Sequence, residues 1–320
     1  MPPMPEPKPL QIRKKPAPEP SPLADEIKPG QSIELLKALH ILTREGKLNQ
    51  DSRRKLKQVY HLFHFIEKLL LELPEGGARA TLADHGAGKS YLGFIIYDLF
   101  FKAQKALVNG ATQDATKSVV QAGHIYGIET RPELVQKSRE LSVRLGFERM
   151  SFLNLSVAES AQSDALPPQM DIVTALHACD TATDDAIAFG LQKNAKFMVL
   201  VPCCQAEVAR ALSVNKAFNL NRTPLAELWR HPLHTREMGS QITNVLRCLH
   251  LEAWGYQVAV TELVGWEHSM KNELIIARRT GHKKLASAQR LQALLQEIGL
   301  AELALTRFNL PPSHGRHPGA

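Results

Sequence analysis

The chain has 320 residues, of which 44% are hydrophobic and 22% are charged, enough for one sizeable core with appendages but cramped for two full domains. The formal net charge of +7 favours a polyanionic partner. No apolar run reaches the ~18 residues of a membrane span, and the four cysteines show no spaced framework, which argues against a secreted disulfide scaffold. We therefore expect a cytoplasmic protein with no membrane partner and no stable protein partner.

The N-terminal region divides into an arm and a helical extension. Residues 1–28 are rich in proline and mixed charges, so we expect a disordered arm. In the extension, residues 29–75, apolar side chains recur at steps of three and four between Ser52 and Leu73, which predicts one face of a helix. Four cations crowd the first turns of this helix: Arg53, Arg54, Lys55 and Lys57. They oppose the helix dipole, so either a phosphate-bearing partner or ordinary surface charge explains them.

Residues 76–280 alternate short apolar strands with helices. The predicted strands are 79–84, 124–129, 150–156, 170–178 and 195–203, with a closing pair at 256–265 and 272–279. This alternation predicts an α/β fold with a mostly parallel seven-stranded sheet, helices on both faces and ligands at the carboxyl ends of the strands. Residues 281–320 are expected to form a terminal helix over 282–304 and a flexible tail.

The segment LADHGAGKSYL, residues 82–92, follows the first predicted strand and supports two interpretations. One is an eight-residue phosphate-binding loop with Ala83 in place of its first glycine. A nucleotide triphosphatase also needs a magnesium-binding acid directly at the end of another strand, and neither Asp171 nor Asp180 stands there. The triphosphatase is therefore the weaker alternative.

The other interpretation is the pattern Asp-x-Gly-x-Gly, which belongs at the first strand end of nucleoside-binding domains. Glycine at Gly86 and Gly88, on either side of Ala87, lets the backbone pass close beneath S-adenosylmethionine. Asp84 can accept a hydrogen bond from the amino group of this cofactor. Lys89 can pair with its carboxylate, although a surface ion pair explains that lysine equally well.

Three residues at the next strand ends extend the predicted cofactor site. Glu129 ends the second strand, where an acid can accept hydrogen bonds from both ribose hydroxyls. Ser156 and Val157 follow the third strand and are expected to border the adenine.

Three segments resemble a known group of enzymes: GAGKS at 86–90, LHACDTATDD at 176–185 and VPCC at 201–204. Together they resemble class I S-adenosylmethionine-dependent methyltransferases that carry GAGKG, LHACG and PCC, a group similar to the tRNA acceptor-stem 2′-O-methyltransferases. The resemblance covers about residue 55 to residue 279 and implies a Rossmann-like fold, this cofactor and methyl transfer. Ser90 and Asp180 stand where the group usually has glycine.

Candidate catalytic residues follow the fourth and fifth strands, which are predicted neighbours: His177, Asp180, Cys203 and Cys204. His177 or Asp180 can act as the base that deprotonates the acceptor, or can simply bond to backbone amides. Cys203 or Cys204 as a nucleophile needs a lowered pKa, yet no neighbour in sequence supplies a positive charge, and packing beneath the acceptor is the alternative. The spacing matches no common zinc site, so no metal is predicted.

The C-terminal part favours RNA as the acceptor. The loop between the last two strands carries an aromatic and polar group: Trp266, His268, Lys271 and Asn272. Such residues can stack a base and hold a phosphate. Cations with no acid between them follow: Arg278, Arg279, Lys283, Lys284 and Arg290. We expect an RNA methyltransferase, with tRNA as a candidate substrate. A protein or small-molecule acceptor, the triphosphatase and a non-catalytic nucleic-acid-binding module stay open.

Overall fold

The computed structural model describes residues 26–102, 123–176, 180–202, 206–215, 223–263 and 273–312. Seven strands form one sheet in the order β3-β2-β1-β4-β5-β7-β6. Their bounds are β1 Thr81–His85, β2 His124–Glu129, β3 Met150–Asn154, β4 Ile172–Leu176, β5 Phe197–Val201, β6 Tyr256–Glu262 and β7 Glu273–Arg279. Strands β1 to β5 are parallel, whereas β7 runs antiparallel to both β5 and β6. The predicted Rossmann-like sheet and its closing pair are confirmed.

Helices connect these strands and form the N-terminal and C-terminal parts. Their bounds are α1 Ile33–Ala38, α2 Gln50–Leu71, α3 Tyr91–Ile96, α4 Pro132–Arg144, α5 Val157–Gln162, α6 Thr181–Gln192, α7 Ala206–Asn215, α8 Pro232–Ala253 and α9 Leu285–Glu297. Helix α3 continues as a π-helical turn, Tyr97–Phe101, and 3₁₀ turns span Pro74–Gly77, Pro224–Trp229 and Ala301–Leu305. Pro132 begins α4, where its fixed φ suits the first helical turn. No helix in the described segments is long and apolar enough to cross a bilayer.

The sheet is covered on both faces because successive strand residues point to opposite sides. Leu82 belongs to the core cluster that includes α1, α2, α3 and Val135 of α4. Its neighbour Ala83 belongs to the opposite cluster, with α6 and Leu251 of α8. A third cluster joins α7, α8 and α9. The predicted helices on both faces are confirmed.

The N-terminal extension packs on the first of these faces. Helix α2 begins after Asn49, whose side chain accepts a hydrogen bond from the Ser52 amide and so satisfies an unpaired helical N–H. Glu26 forms an ion pair with Arg53 of α2 at 2.8 Å. Of the predicted disordered arm, residues 1–28, the first 25 lie outside the described residues.

The C-terminal helix is shorter than predicted. Helix α9 ends at Glu297, with Ile298 as its cap and Gly299 in the left-handed conformation at φ 72°. The Leu300 amide then bonds to the Leu295 carbonyl at 2.8 Å, which closes the helix end. A glycine in this position is a common stop for a helix, so the apolar periodicity beyond it belongs to a separate 3₁₀ turn.

Candidate active site

The glycine loop, residues 86–90, connects β1 to α3 and is tied to the end of β2. Gly86 and Gly88 have φ of 62° and 57°, a region that glycine adopts without steric penalty. The Ala87 amide donates to the Ile128 carbonyl at 3.1 Å, and the Gly88 amide donates to Glu129 Oε2 at 2.8 Å. Two predicted parts of the cofactor site, 41 positions apart, are therefore in direct contact.

Glu129 is only 6% exposed and is held by Arg131 as well as by the loop. Its carboxylate accepts hydrogen bonds from Arg131 N, Nε and Nη2 at 3.1, 3.0 and 3.1 Å. Burial alone would raise the pKa of Glu129, but the hydrogen bonds from Arg131 and Gly88 outweigh it and hold the pKa below its usual value. A carboxylate offers about four acceptor sites. Ribose hydroxyls would therefore take the places that the Arg131 guanidinium occupies.

Asp84 lies behind the glycine loop rather than at its surface. The side chain is 2% exposed, and Thr174 Oγ1 on β4 donates to its Oδ1 at 2.8 Å. Burial raises the pKa of Asp84 to about 6, opposed chiefly by the hydrogen bond from Thr174. The predicted contact with the cofactor's amino group stays a prediction, and this burial argues against it. The carboxylate instead joins β1 to β4.

Lys89 and Ser90 end the glycine loop in different environments. Lys89 is exposed, whereas Ser90 is fully buried. A triphosphatase requires this serine hydroxyl to reach a magnesium ion, so its burial argues against that alternative. Ser90 has φ 49°, and a non-glycine residue is strained in that region.

The end of β3 carries Ser156 and Val157 to the same edge of the sheet. Ser156 caps α5 through a reciprocal pair with Glu159: its hydroxyl accepts from the Glu159 amide, and its own amide donates to Glu159 Oε2 at 2.7 Å. Asn154, which the sequence did not single out, donates to the Glu129 carbonyl at 3.0 Å and so ties β3 to β2. The sequence feature that could have identified Asn154 is its polar side chain at the end of an apolar strand.

Asp180 follows β4 in a conformation that strongly favours glycine, with φ 51° and ψ −121°. Its carbonyl accepts a hydrogen bond from Arg247 Nη2 at 2.8 Å, and its Oδ1 accepts from the Glu207 amide at the start of α7 at 3.1 Å. The position therefore bridges the ends of β4 and β5, which are hydrogen-bonded neighbours as predicted. Three other predicted catalytic residues lie outside the described residues: His177, Cys203 and Cys204.

The arginine that donates to the Asp180 carbonyl belongs to a buried ion pair. Arg247 on α8 is fully buried and donates to both carboxylate oxygens of Asp184 on α6, at 2.7 and 2.9 Å. Asn244 completes the group by accepting from Arg247 Nη1 at 3.1 Å and donating to Glu273 Oε2 at 2.6 Å. Sequence reasoning missed this network, because a polar pair on a helix face gives no indication of burial.

Three of the five cations at the end of the last strand and after it are paired with acids that are distant in sequence. Arg278 is ion-paired with Glu72, and Lys284 and Arg290 are both paired with Glu252. Glu72 caps α2 and Glu252 lies on α8, so the absence of an acid within the basic segment does not make its surface unpaired. The predicted acceptor loop lies outside the described residues, including Trp266, His268, Lys271 and Asn272.

Comparison with known proteins identifies the domain. Residues 54–211, just under half of the chain, match the family model described as a methyltransferase domain. No curated protein matches the sequence. Similar solved structures include the fibrillarin pre-rRNA processing protein of Methanococcus jannaschii, with 10% identity, TM-score 0.39 and coverage of 64% of this chain and 68% of that one. Another is magnesium protoporphyrin IX methyltransferase from Synechocystis, with 13% identity, TM-score 0.43 and coverage of 77% and 94%.

The site fits the methyl donor of this class of enzyme. The matched residues contain β1 to β5, the glycine loop and Glu129. The two glycines of the loop carry no side chain, and a Cβ at Gly88 would lie in ordinary contact with Arg131 Nη2, at 3.8 Å. The Glu129 carboxylate at the adjacent strand end supplies acceptors for a ribose. The protein is an S-adenosylmethionine-dependent methyltransferase, and its residues 54–211 match the model of a methyltransferase domain.

Proposed function

We propose that this methyltransferase acts on RNA, with tRNA as the candidate substrate, and that it holds its methyl donor between the glycine loop and Glu129. The contact between the Gly88 amide and Glu129 Oε2, at 2.8 Å, carries the proposal for the donor site. It joins the side-chain-free loop to a buried carboxylate at the carboxyl edge of β1 and β2, where ligands bind in open α/β sheets.

The residues of the donor site have distinct roles in this proposal. S-adenosylmethionine supplies an activated methyl group. Glu129 accepts hydrogen bonds from the ribose hydroxyls once the Arg131 guanidinium moves away, and this arginine is free to do so because its side chain is 59% exposed. Ser156 and Val157 border the adenine, and Lys89 pairs with the carboxylate. Asp84 keeps the loop attached to β4 through Thr174.

The acceptor is deprotonated at the edge formed by β4 and β5. Asp180 or His177 removes the proton, and the carboxylate of Asp180 is oriented for this by the Glu207 amide. Cys203 and Cys204 follow the adjacent strand β5 in sequence and stay candidates for the acceptor side. The hydrogen bond from Arg247 to the Asp180 carbonyl keeps the backbone of this edge in place.

RNA is favoured as the acceptor by the cations beside the glycine loop. Lys55 Nζ lies 3.4 Å from the centre of the Tyr91 ring, and Tyr91 is the first residue of α3 after the loop. Lys55, in the first turns of α2, therefore lies next to the residue that follows the glycine loop. A phosphate backbone approaching the site meets this positive charge before it meets the acceptor edge.

Incubation with tritiated S-adenosylmethionine and fractionated cell extract tests the acceptor. We expect label in RNA that ribonuclease releases and protease does not, whereas label in protein or in small molecules would reject RNA. Wild-type protein should gain thermal stability with S-adenosylhomocysteine but not with ATP and magnesium. Glu129→Gln should weaken S-adenosylhomocysteine binding about tenfold or more, because a neutral acceptor replaces a charged one. RNA binding without label transfer would instead indicate a non-catalytic module.

A further inference from the structure

A cavity of about 340 Å³ lies beside the glycine loop, between α1, α4 and Lys89. Four of its lining residues can carry positive charge: His40, Lys89, Lys137 and Arg144. One acid, Glu140, also lines it. We call this cavity the basic cleft. Its volume falls at the lower end of the range for small-ligand sites, so it accommodates a compact anionic group better than a large apolar molecule.

The lysines of the basic cleft differ from the paired cations elsewhere on the surface. Neither Lys89 nor Lys137 forms an ion pair or hydrogen bond within the described residues, and both are exposed. Arg144 pairs with Glu34 at 3.2 Å, but both side chains are about 60% exposed, so the pair is weak and easily exchanged. Glu140 accepts a hydrogen bond from Gln136 at 2.9 Å. The cleft therefore keeps available positive charge, unlike the segment around Arg278.

His40 contributes a second, independent observation. It follows the end of α1 with φ 56°, a left-handed position where glycine is the usual residue. The chain after it turns back, because the amides of Ile41 and Leu42 both donate to the Leu36 carbonyl. A histidine here is less favourable to the fold than glycine. Its imidazole, however, places a hydrogen-bonding group at the cleft.

We propose that the basic cleft binds a backbone phosphate of the RNA substrate, a proposal that rests on the RNA acceptor argued above. Lys137 and Arg144 supply charge from one side and His40 supplies a hydrogen bond from the other, while Lys89, which pairs with the carboxylate of the methyl donor, lies at the boundary between the cleft and the glycine loop. Because Lys89 belongs to both the loop and the cleft, a strand held there passes the edge of the donor site. The N-terminal extension is therefore part of the substrate site and not only a cover for the sheet.

Fluorescence anisotropy with labelled unfractionated tRNA, measured over a series of salt concentrations, tests the cleft. Lys137→Gln should weaken binding about three- to tenfold and reduce the slope of log affinity against log salt by about one. Glu140→Gln should have the opposite sign and strengthen binding. His40→Gly should weaken binding while its Tm equals or exceeds that of the wild type. Lys68→Gln, which removes an exposed cation near the other end of α2, is the matched control and should bind like the wild type.

The outcomes separate this proposal from the proposed function. Equal binding by wild type, Lys137→Gln and Glu140→Gln would overturn the cleft, even if RNA is methylated. A loss with Lys68→Gln as large as that with Lys137→Gln would also overturn it, because the effect would then be general charge. Binding of a labelled polyglutamate peptide through the same residues, without RNA binding, would assign the cleft to an acidic protein. All variants should keep wild-type affinity for S-adenosylhomocysteine, so failure of the donor site is recognised separately.

Discussion

Replacing Asp84 by asparagine should change how stability depends on pH. In the folded protein, burial raises the pKa of Asp84 to about 6, whereas an unfolded aspartate has a pKa of about 3.9. Between these values the folded state binds more protons than the unfolded state, so the free energy of unfolding falls as pH rises. A difference of about two pKa units corresponds to roughly 3 kcal/mol, lost between about pH 4 and pH 6.

Asparagine removes this titration while retaining an acceptor for the hydroxyl of Thr174. Urea unfolding of wild type and Asp84→Asn at several values from about pH 4 to pH 8 gives the difference in stability at each pH. That difference should move in favour of the variant by up to about 3 kcal/mol across the interval, whatever its value at low pH. Asp164→Asn, the same change at an exposed position, controls for the loss of one charge.

If the free energy of unfolding depends on pH in the same way for wild type and Asp84→Asn, the reasoning is refuted. That result would mean that Asp84 ionises in the folded protein as easily as in the unfolded chain, which is incompatible with a buried carboxylate between β1 and β4. If the difference in stability changes with pH as expected, Asp84 also has a functional meaning. At neutral pH the protein keeps an ionised carboxylate behind the glycine loop at the expense of stability, and a negative charge there favours the cationic methyl donor.

Three further changes test separate parts of the site. Ser90→Gly should raise the free energy of unfolding by about 1 kcal/mol in urea, because glycine relieves the left-handed strain. Arg131→Met should tighten S-adenosylhomocysteine binding about two- to fivefold in calorimetry by freeing Glu129, and weaker binding would show that Arg131 assists the donor. Arg247→Met should lower stability by about 3–5 kcal/mol by leaving Asp184 buried and unpaired. The double variant with Asp184→Leu should recover most of that loss, and equal destabilisation by both would contradict the ion-pair account.

The strands and their order along the chain could be predicted from the sequence, because both depend on local patterns of apolar residues. The segment 124–129 becomes β2 without any change of bounds, since its apolar run is set off from its neighbours by its own composition. The edge that carries Gly88 and Glu129 followed from the rule that parallel strands end together. Strand β5 ends at Val201, before the predicted end, because Pro202 follows it and cannot donate a backbone hydrogen bond to a neighbouring strand.

Partners of charged residues could not be predicted in the same way. Arg278 and Glu72 are 206 positions apart, and Arg247 and Asp184 are 63 apart, so no local pattern relates them. Their pairing depends on which helix faces meet after the sheet has formed. For the same reason the run of basic residues at the end of β7 and after it did not indicate which of them are paired, and it gave no indication of the basic cleft, which α1 and α4 form together.

Asp180 and Ser90 both have a positive φ, which favours glycine, but their side chains differ in the contacts that offset this strain. The Ser90 hydroxyl makes no hydrogen bond of normal geometry, so only strain is removed when it is replaced. The strain at Asp180, about 1–3 kcal/mol, is opposed by its charged hydrogen bond to the Glu207 amide, worth about 1.5–3 kcal/mol. Asp180→Gly should therefore leave the free energy of unfolding nearly unchanged. If it also abolishes methyl transfer while S-adenosylhomocysteine still binds, the carboxylate acts on the acceptor, whereas full activity would reduce Asp180 to a helix-capping residue.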